Sequence, residues 1–170
     1  MNKLETERLT IRELDAIDDA EFILNLLNQP SFIRFIGDRG VRTVAESRDF
    51  IENRYRQSYR ENGFGLYAVD LKRDPATQIG ICGFVRRPGL DEPDIGFAFL
   101  PQYEGFGYAF ESSVGVLEYG REMLGIERVM AITTVDNESS IRLLAKLGFE
   151  FLELVVLPGS DDQLNLFVKT

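Results

Sequence analysis

One junction limits the folds open to this chain more than any other feature. Asp94-Ile95-Gly96-Phe97-Ala98-Phe99-Leu100 reads as a strand that starts after the Gly89–Pro93 break. It runs through Pro101-Gln102-Tyr103-Glu104-Gly105-Phe106-Gly107 into a helical pattern that reaches about Leu124. Gly105 and Gly107 remove Cβ atoms where the backbone must approach something closely. The first N–H groups of the following helix have no intrahelical partner, and its positive dipole end points back at the loop. Such a strand-to-helix turn is a ready anion site, and amides from about Gly105 to Ala109 could wrap a pyrophosphate. An ordinary glycine-rich turn is the other reading of the same residues.

The familiar nucleotide motifs do not fit this loop. It lacks the Gly-Lys-Ser/Thr ending of a P-loop. It also lacks the third glycine of a dinucleotide fingerprint, and no βαβ unit of about 30 residues is evident around it. The formal net charge of −9 argues against nonspecific nucleic-acid binding, which needs a basic footprint. Binding through backbone amides would let so acidic a chain hold an anion without a Lys/Arg cluster. The same charge suits a cationic or amine-bearing partner, or simply keeps the protein dispersed.

Absent residues exclude more. The chain has no His, which removes Ser-His-Asp triads, His-activated cysteines and His-based zinc sites. Its one Cys, Cys82, forbids an intrachain disulfide and lies in the apolar run Ile79–Phe84, where it reads as a small core residue. No stretch approaches the ~20 apolar residues of a membrane span. The polar N-terminus, Met1-Asn2-Lys3-Leu4-Glu5-Thr6-Glu7, does not read as a signal peptide, so a cytoplasmic protein with no membrane partner is expected.

With 170 residues and no repeat or linker, one domain spanning 1–170 is expected. Leu4–Arg12 alternates apolar and polar residues as a strand does. Asp15–Leu27 reads as a helix capped by Asp15 or Asp18, with Ile17, Ala20, Ile23, Leu24 and Leu27 as its apolar stripe. Thr43-Val44-Ala45-Glu46 is a capping box opening a helix to about Arg60, with Phe50, Ile51 and Tyr55 on one face. Strands are expected over 65–71, 78–86, 94–100, 127–135, 149–157 and 163–169, with a turn at Asp74-Pro75 and a short helix over 138–147 stopped by Gly148. The order β-α-α-β-β-β-α-β-α-β-β implies an α/β, or mixed α+β, sheet with helices on its faces.

Four segments now carry a family resemblance. Gln102-x-x-Gly105-x-Gly107 resembles the Q/R-x-x-G-x-G/A signature of the GNAT acetyltransferases. Asp94–Phe99 is similar to the strand that leads into that signature, and Asn137-Glu138-Ser139-Ser140 … Lys146-Leu147-Gly148-Phe149 to the family's N-x-x-S … K-L-G-F segment. Thr6–Arg12 resembles the opening of the RimJ/RimL-like branch, which includes ribosomal-protein N-terminal acetyltransferases. The resemblance spans essentially the whole chain. It implies the GNAT acyl-CoA N-acyltransferase fold, acetyl-CoA as cofactor with no metal, and direct attack of an amine on the thioester.

The resemblance also assigns roles. Gln102, Gly105, Phe106, Gly107, Tyr108 and Ala109 would hold the pyrophosphate of coenzyme A. The backbone of Phe99 and Leu100 would pair with the pantetheine arm, as a peptide adds to a sheet edge. Asn137 would contact the same arm, although its position also suits a plain N-cap. At ~100° per residue, Asn137, Ser140 and Leu144 share a helix face and would look at the cofactor together. Arg142 and Lys146 point elsewhere.

Leu144 departs from the family pattern, where many members carry a Tyr as general acid. Ser140 is the first substitute donor and Tyr108 the second, with Tyr103 nearby. Ser140 also suits local helix N-terminal hydrogen bonding, and a thiol leaving group can depart without an acid. Without His, a carboxylate is the expected base, and Asp94 occupies a position where the family often carries an acid. Glu111, one turn into the helix, reads as support for the loop. The acceptor would be a primary amine: a peptide N-terminus, or a small amine such as an aminoglycoside, polyamine or amino-acid derivative. A non-catalytic acyl-CoA-binding module is the rival. The acceptor walls should come from Pro30–Gly40 and Arg86–Pro93, with Gly37–Gly40 mobile and Phe32, Phe35 and Phe64 lining the pocket or filling the core. Monomer and homodimer are equally compatible with the sequence, and no nucleic-acid partner is expected.

Overall fold

The computed structural model describes residues 3–73 and 77–170. The N-terminal half holds β1 (Leu4–Glu5), β2 (Leu9–Arg12), α1 (Ala20–Leu27), α2 (Pro30–Phe35), α3 (Val44–Phe50) and α4 (Gln57–Asn62). A π-helical stretch, Ile51–Arg56, joins α3 to α4. Then come β3 (Leu66–Leu71), β4 (Gln78–Val85), β5 (Asp94–Phe99), α5 (Tyr108–Leu124), β6 (Val129–Thr134), α6 (Glu138–Lys146), β7 (Glu150–Val156) and β8 (Gln163–Lys169). The eight strands form one mixed sheet in the order β1-β2-β3-β4-β5-β6-β8-β7.

Every neighbouring pair is antiparallel except β5 and β6, which run parallel. Helices cover the sheet through two core clusters. Tyr67, Val69 and Leu71 of β3 belong to the cluster that contains Tyr108, Val116, Leu144 and Leu147 of α5, α6 and the residue after it. Ala68, between them, belongs to the cluster with Ile23, Leu26, Phe32, Ile51 and Tyr55. This is the period-two alternation of a strand buried on both faces.

Several expectations change. The strand over 4–12 is two strands, with Thr6–Arg8 as a turn that lets β1 pair back onto β2. Thr6 makes the turn, its N–H donating to the Leu9 carbonyl at 3.0 Å while Leu9 N–H donates to Thr6 Oγ1 at 3.2 Å. The first helix begins at Ala20 rather than Asp15. Asp15 instead accepts from the N–H groups of Ile17 and Asp18, and Ile17 is 70% exposed, outside the apolar stripe. Pro30–Phe35, given no element from sequence, is a helix that opens with Pro at its first turn.

A compact βαβ unit is present after all: β5, α5 and β6 form a parallel crossover longer than 30 residues. The Thr43 capping box is complete, with both Thr43 and Glu46 making their hydrogen bonds. Cys82 is fully buried 3.6 Å from Ser113 Oγ, and burial pushes its thiol up to about 11. The Asp74-Pro75 turn lies outside the described residues.

Helix α5 sits close against β4. A Cβ on Gly120 would lie 2.4 Å from Cζ of the Phe84 ring. Gly120→Ala should therefore destabilise the protein by about 1–3 kcal/mol through overpacking, read as a lower urea midpoint with unchanged slope. Adding Phe84→Leu should return part of that loss. An unshifted midpoint for Gly120→Ala would show that α5 can move away from the sheet at no cost.

Candidate active site

The pairing of β5 with β6 stops almost where it begins. Asp94 and Met130 are the one register pair between them, and Met130 N–H donates to the Pro93 carbonyl at 2.9 Å. Beyond that point β5 stays tied to β4 through Phe99, and β6 to β8 through Thr134. The two strands therefore part toward their C-terminal ends and leave a wedge. The edge of β5 that faces it, from Ile95 to Phe99, has no strand partner there. Phe99 and Leu100 have buried side chains, and Leu100 spends its backbone elsewhere, its N–H donating to the Ile79 carbonyl and its carbonyl accepting from Tyr103 N–H, both at 2.9 Å, so of the two only Phe99 can present backbone to the wedge.

The expected loop crosses the open end. Pro101–Tyr103 forms a 3-10 turn, and Gln102, Gly105, Phe106 and Gly107 are exposed. Gly105 and Gly107 take φ of +80° and +83°. That left-handed conformation explains both glycines directly. No protein group crowds them: a Cβ on Gly105 would meet nothing within 4 Å, and one on Gly107 would lie 3.4 Å from Arg8 Nη2. Gly107 is the N-cap of α5 with no side-chain cap, and the first intrahelical bond runs from Glu111 N–H to the Gly107 carbonyl at 3.0 Å. The amides of Tyr108, Ala109 and Phe110 are thus left without intrahelical acceptors.

The second segment arrives at the same end, because β6 leads straight into α6. Asn137 caps that helix, its Oδ1 accepting from Ser140 N–H at 3.2 Å. The Ser140 hydroxyl is partly exposed and has no hydrogen-bond partner among the described residues. Leu144 does not join them. It is 1% exposed inside the core and offers no surface to a ligand. Tyr108 is also buried, with the Arg8 guanidinium 4.6 Å from its ring centroid.

Asp94 lies at the closed end of the wedge, 1% exposed, with Arg87 at 3.2 and 3.3 Å. Burial pushes its pKa up, and Arg87 opposes the shift. A shallow hollow lined by Arg86, Glu92, Pro93 and Arg128 adjoins this end and contains none of the loop amides.

The rim is built from four chain segments. Arg34 of α2 pairs with Asp136 of the β6–α6 turn at 2.9 Å. Asp38 braces the Gly37–Gly40 turn by pairing with Arg42 and accepting from Gly40 N–H. In the β4–β5 loop, a Cβ on Gly89 would fall 2.5 Å from Pro158 of the β7–β8 turn, so those loops touch. Phe32 and Phe64 fill the core, while Phe35 is half-buried beneath Arg34.

Sequence reasoning missed Arg8. Its Nε donates to Glu111 Oε2 at 2.6 Å, its N–H to Glu111 Oε1 at 2.7 Å and its Nη1 to the Phe106 carbonyl at 3.0 Å. Thr6 Oγ1 also donates to Glu111 Oε1, at 2.5 Å. The available signal was Glu111 itself, an acid in the first turn of a long helix with no assigned partner.

The acetyltransferase (GNAT) domain family matches residues 8–150. A Bacillus subtilis (strain 168) protein named "Uncharacterized N-acetyltransferase YoaA" is 30% identical over 148 residues, covering 86% of this chain and 82% of its own. The chain belongs to the GNAT acetyltransferases. Solved structures share the fold. An acetyltransferase from Agrobacterium tumefaciens str. C58 superposes with a TM-score of 0.83 at 20% identity, covering 100% of this chain and 95% of that one. The alpha-N-protein acetyltransferase RimL, solved in complex with coenzyme A, superposes with a TM-score of 0.81 at 16% identity, covering 99% and 97%. Among the described residues no helix is long and apolar enough to cross a membrane, and no cluster of three or more Cys, Asp or Glu could hold a metal ion.

Burial acts to raise the pKa of Glu111, but the hydrogen bonds from Thr6 and Arg8 outweigh it, and the net shift is downward from 4.5. A depressed carboxyl stabilises the fold above its unfolded pKa, and that stability disappears as pH falls through the folded value. Glu111→Gln should therefore cost about 1–2 kcal/mol at neutral pH. The gap from wild type should close in melts taken well below pH 4.5. A gap that persists in acid would mean that the carboxylate charge is not what Arg8 and Thr6 recognise.

Proposed function

We propose that this GNAT protein transfers an acetyl group from acetyl-CoA to a primary amine, with a protein N-terminal α-amine as the first candidate acceptor. The observation that carries the proposal is the uncapped start of α5, reached through two left-handed glycines at the open end of the β5–β6 wedge. Free amides in a concave turn, with room beside Gly105, fit a pyrophosphate. The unpaired edge of β5 fits the amide-rich arm of coenzyme A. RimL, which shares the fold, was solved with coenzyme A, and its name supports a protein α-amine as acceptor.

In this reading the amides of residues 105–109 hold the pyrophosphate, with Gln102 at the loop entrance. The backbone of Phe99 aligns the pantetheine arm, Leu100 being tied to Ile79 and Tyr103 instead, and the Asn137 amide group, whose oxygen is committed to Ser140, keeps its NH2 free to donate. Acetyl-CoA supplies the activated acyl group. Asp94 accepts the proton from the attacking amine through a water, since its carboxylate is buried, and its raised pKa suits that task. The partly exposed Ser140 hydroxyl is the donor placed to meet the departing sulfur.

One observation favours a second reading. Leu144 carries no hydroxyl and is sealed in the core, so a non-catalytic acyl-CoA-binding role survives if Ser140 does nothing. Thiol release from acetyl-CoA, followed across a panel of N-terminal peptides and small amines, separates the two. Release that depends on an amine supports catalysis, and the preferred amine decides between a peptide and a small-molecule acceptor. Coenzyme A binding with no amine-dependent release supports the module.

Asp94→Asn should lower kcat by about 10²–10⁴-fold, the range for loss of a general base. Its affinity for coenzyme A, measured by calorimetry, should be unchanged. In wild type, kcat/KM corrected for the fraction of unprotonated amine should fall as pH drops through a pKa above the ordinary 3.8, and this corrected acid limb should vanish in the variant. An identical pH profile in both proteins removes Asp94 from the mechanism.

A further inference from the structure

We infer that Arg8 is a positioning residue for the coenzyme A loop, locking the Phe106–Gly107 peptide plane so that the Gly107 amide is available to the pyrophosphate. The inference rests on the coenzyme A reading above.

An anion cradle needs its N–H groups turned inward and its carbonyls turned away. The Phe106 carbonyl is turned to Arg8 Nη1 at 3.0 Å. All described peptides are trans, so the C=O and N–H of one peptide unit point in opposite directions. The Gly107 N–H therefore points to the side of that plane away from Arg8. Without a partner for the carbonyl this plane could rotate readily, because it joins an exposed Phe106 to a glycine that tolerates either sign of φ. A flipped plane would present a carbonyl oxygen to the phosphates and repel them.

Arg8 is itself held on several sides. Its Nε and its own N–H grip the two oxygens of Glu111, and its guanidinium stacks over the Tyr108 ring. Thr6 shares the same carboxylate from the other side of the β1–β2 turn. Glu111 and Tyr108 both lie in the first turn of α5, so the N-terminal hairpin grips the loop and the start of the helix as one unit. Only a guanidinium fork can reach the Glu111 carboxylate through Nε and the Phe106 carbonyl through Nη1 together. An ammonium carries the same charge without that fork.

The test compares wild type with Arg8→Ala and Arg8→Lys. By calorimetry both substitutions should weaken coenzyme A binding by about tenfold, the size of one charge-assisted hydrogen bond. In turnover the loss should fall on KM for acetyl-CoA rather than on kcat. Turnover of acetylpantetheine, which has no pyrophosphate, should not respond to either change. In wild-type protein labelled with 15N, the Gly107 amide proton should move downfield when coenzyme A is added.

Several results would overturn the inference. One is coenzyme A affinity equal to wild type in both variants. Another is equal loss with acetyl-CoA and acetylpantetheine, which would mark Arg8 as general support for the fold. If Arg8→Ala does not fold, the wild-type Gly107 resonance decides, and a resonance that coenzyme A leaves unmoved rejects the role. Wild-type protein that binds no coenzyme A would instead remove the cofactor reading, and this inference with it.

Discussion

Two parallel strands that hold together at one end only are the constraint on which the rest of this site depends. The β5–β6 ladder amounts to the Asp94–Met130 pair and one hydrogen bond to the Pro93 carbonyl. Each strand is otherwise committed to its outer neighbour. Both are followed by helices, so both helix N-termini, at Gly107 and Asn137, must land at the end where the strands have parted. A ligand that enters there meets the carboxyl ends of parallel strands and two sets of helix-start amides, the usual place for binding in parallel β-α-β architecture. The close seat of α5 on β4 at Gly120 helps to fix where that first helix start lies.

This arrangement accounts for how an acidic protein can hold a polyanion. With a formal net charge of −9, long-range attraction favours a cationic acceptor and opposes coenzyme A. The unpartnered amides at the start of α5 offer an anion fixed partial charges that need no nearby Lys. The cation that is present, Arg8, is already paired with Glu111, so it adds little net charge to the cradle. On the inference drawn above, its contribution is orientation. On the proposed reading, the conflict between a repelling global field and a local binding demand is met by geometry, with the β1–β2 turn braced against the first turn of α5.

What the sequence made legible was local. Gly105 and Gly107 announced a special turn because few residues other than glycine adopt φ near +80°. The Thr43 capping box involves residues three apart, and the long α5 and the β8 strand show their periods plainly. The errors came from contacts that span the chain or from local competition. Thr6–Arg8 leaves the strand pattern because it makes a turn whose far partner, Glu111, is about a hundred residues away. Asp15 caps the turn at Ile17 and Asp18 instead of the helix, which delays α1 by a turn and strands Ile17 in solvent. Leu144 lies on the helical face shared with Asn137 and Ser140, but a nine-residue helix packed on a sheet turns its middle inward while its first turn stays at the rim.

The acceptor side stays illegible for a different reason. Its proposed rim comes from α2, the Gly37–Gly40 turn, the β4–β5 loop and the β7–β8 turn, each with contacts of its own. Arg34 pairs with Asp136, Asp38 with Arg42, and Gly89 lies under Pro158. Of these contacts only Arg34–Asp136 reaches the open end of the wedge, and none involves the amides at the start of α5. Loops of this kind can therefore vary in shape and charge without disturbing the amides at the start of α5, which is how one cofactor site can serve different amines across a family. Asp94 is where the two halves meet. Its backbone is the hinge of the wedge, and its carboxylate is held by Arg87 from the acceptor-side loop. A change of loop that moved Arg87 would alter the ionisation of the one buried carboxylate at the strand junction, and on the proposed mechanism, with Asp94 as base, that ion pair couples acceptor choice to proton transfer.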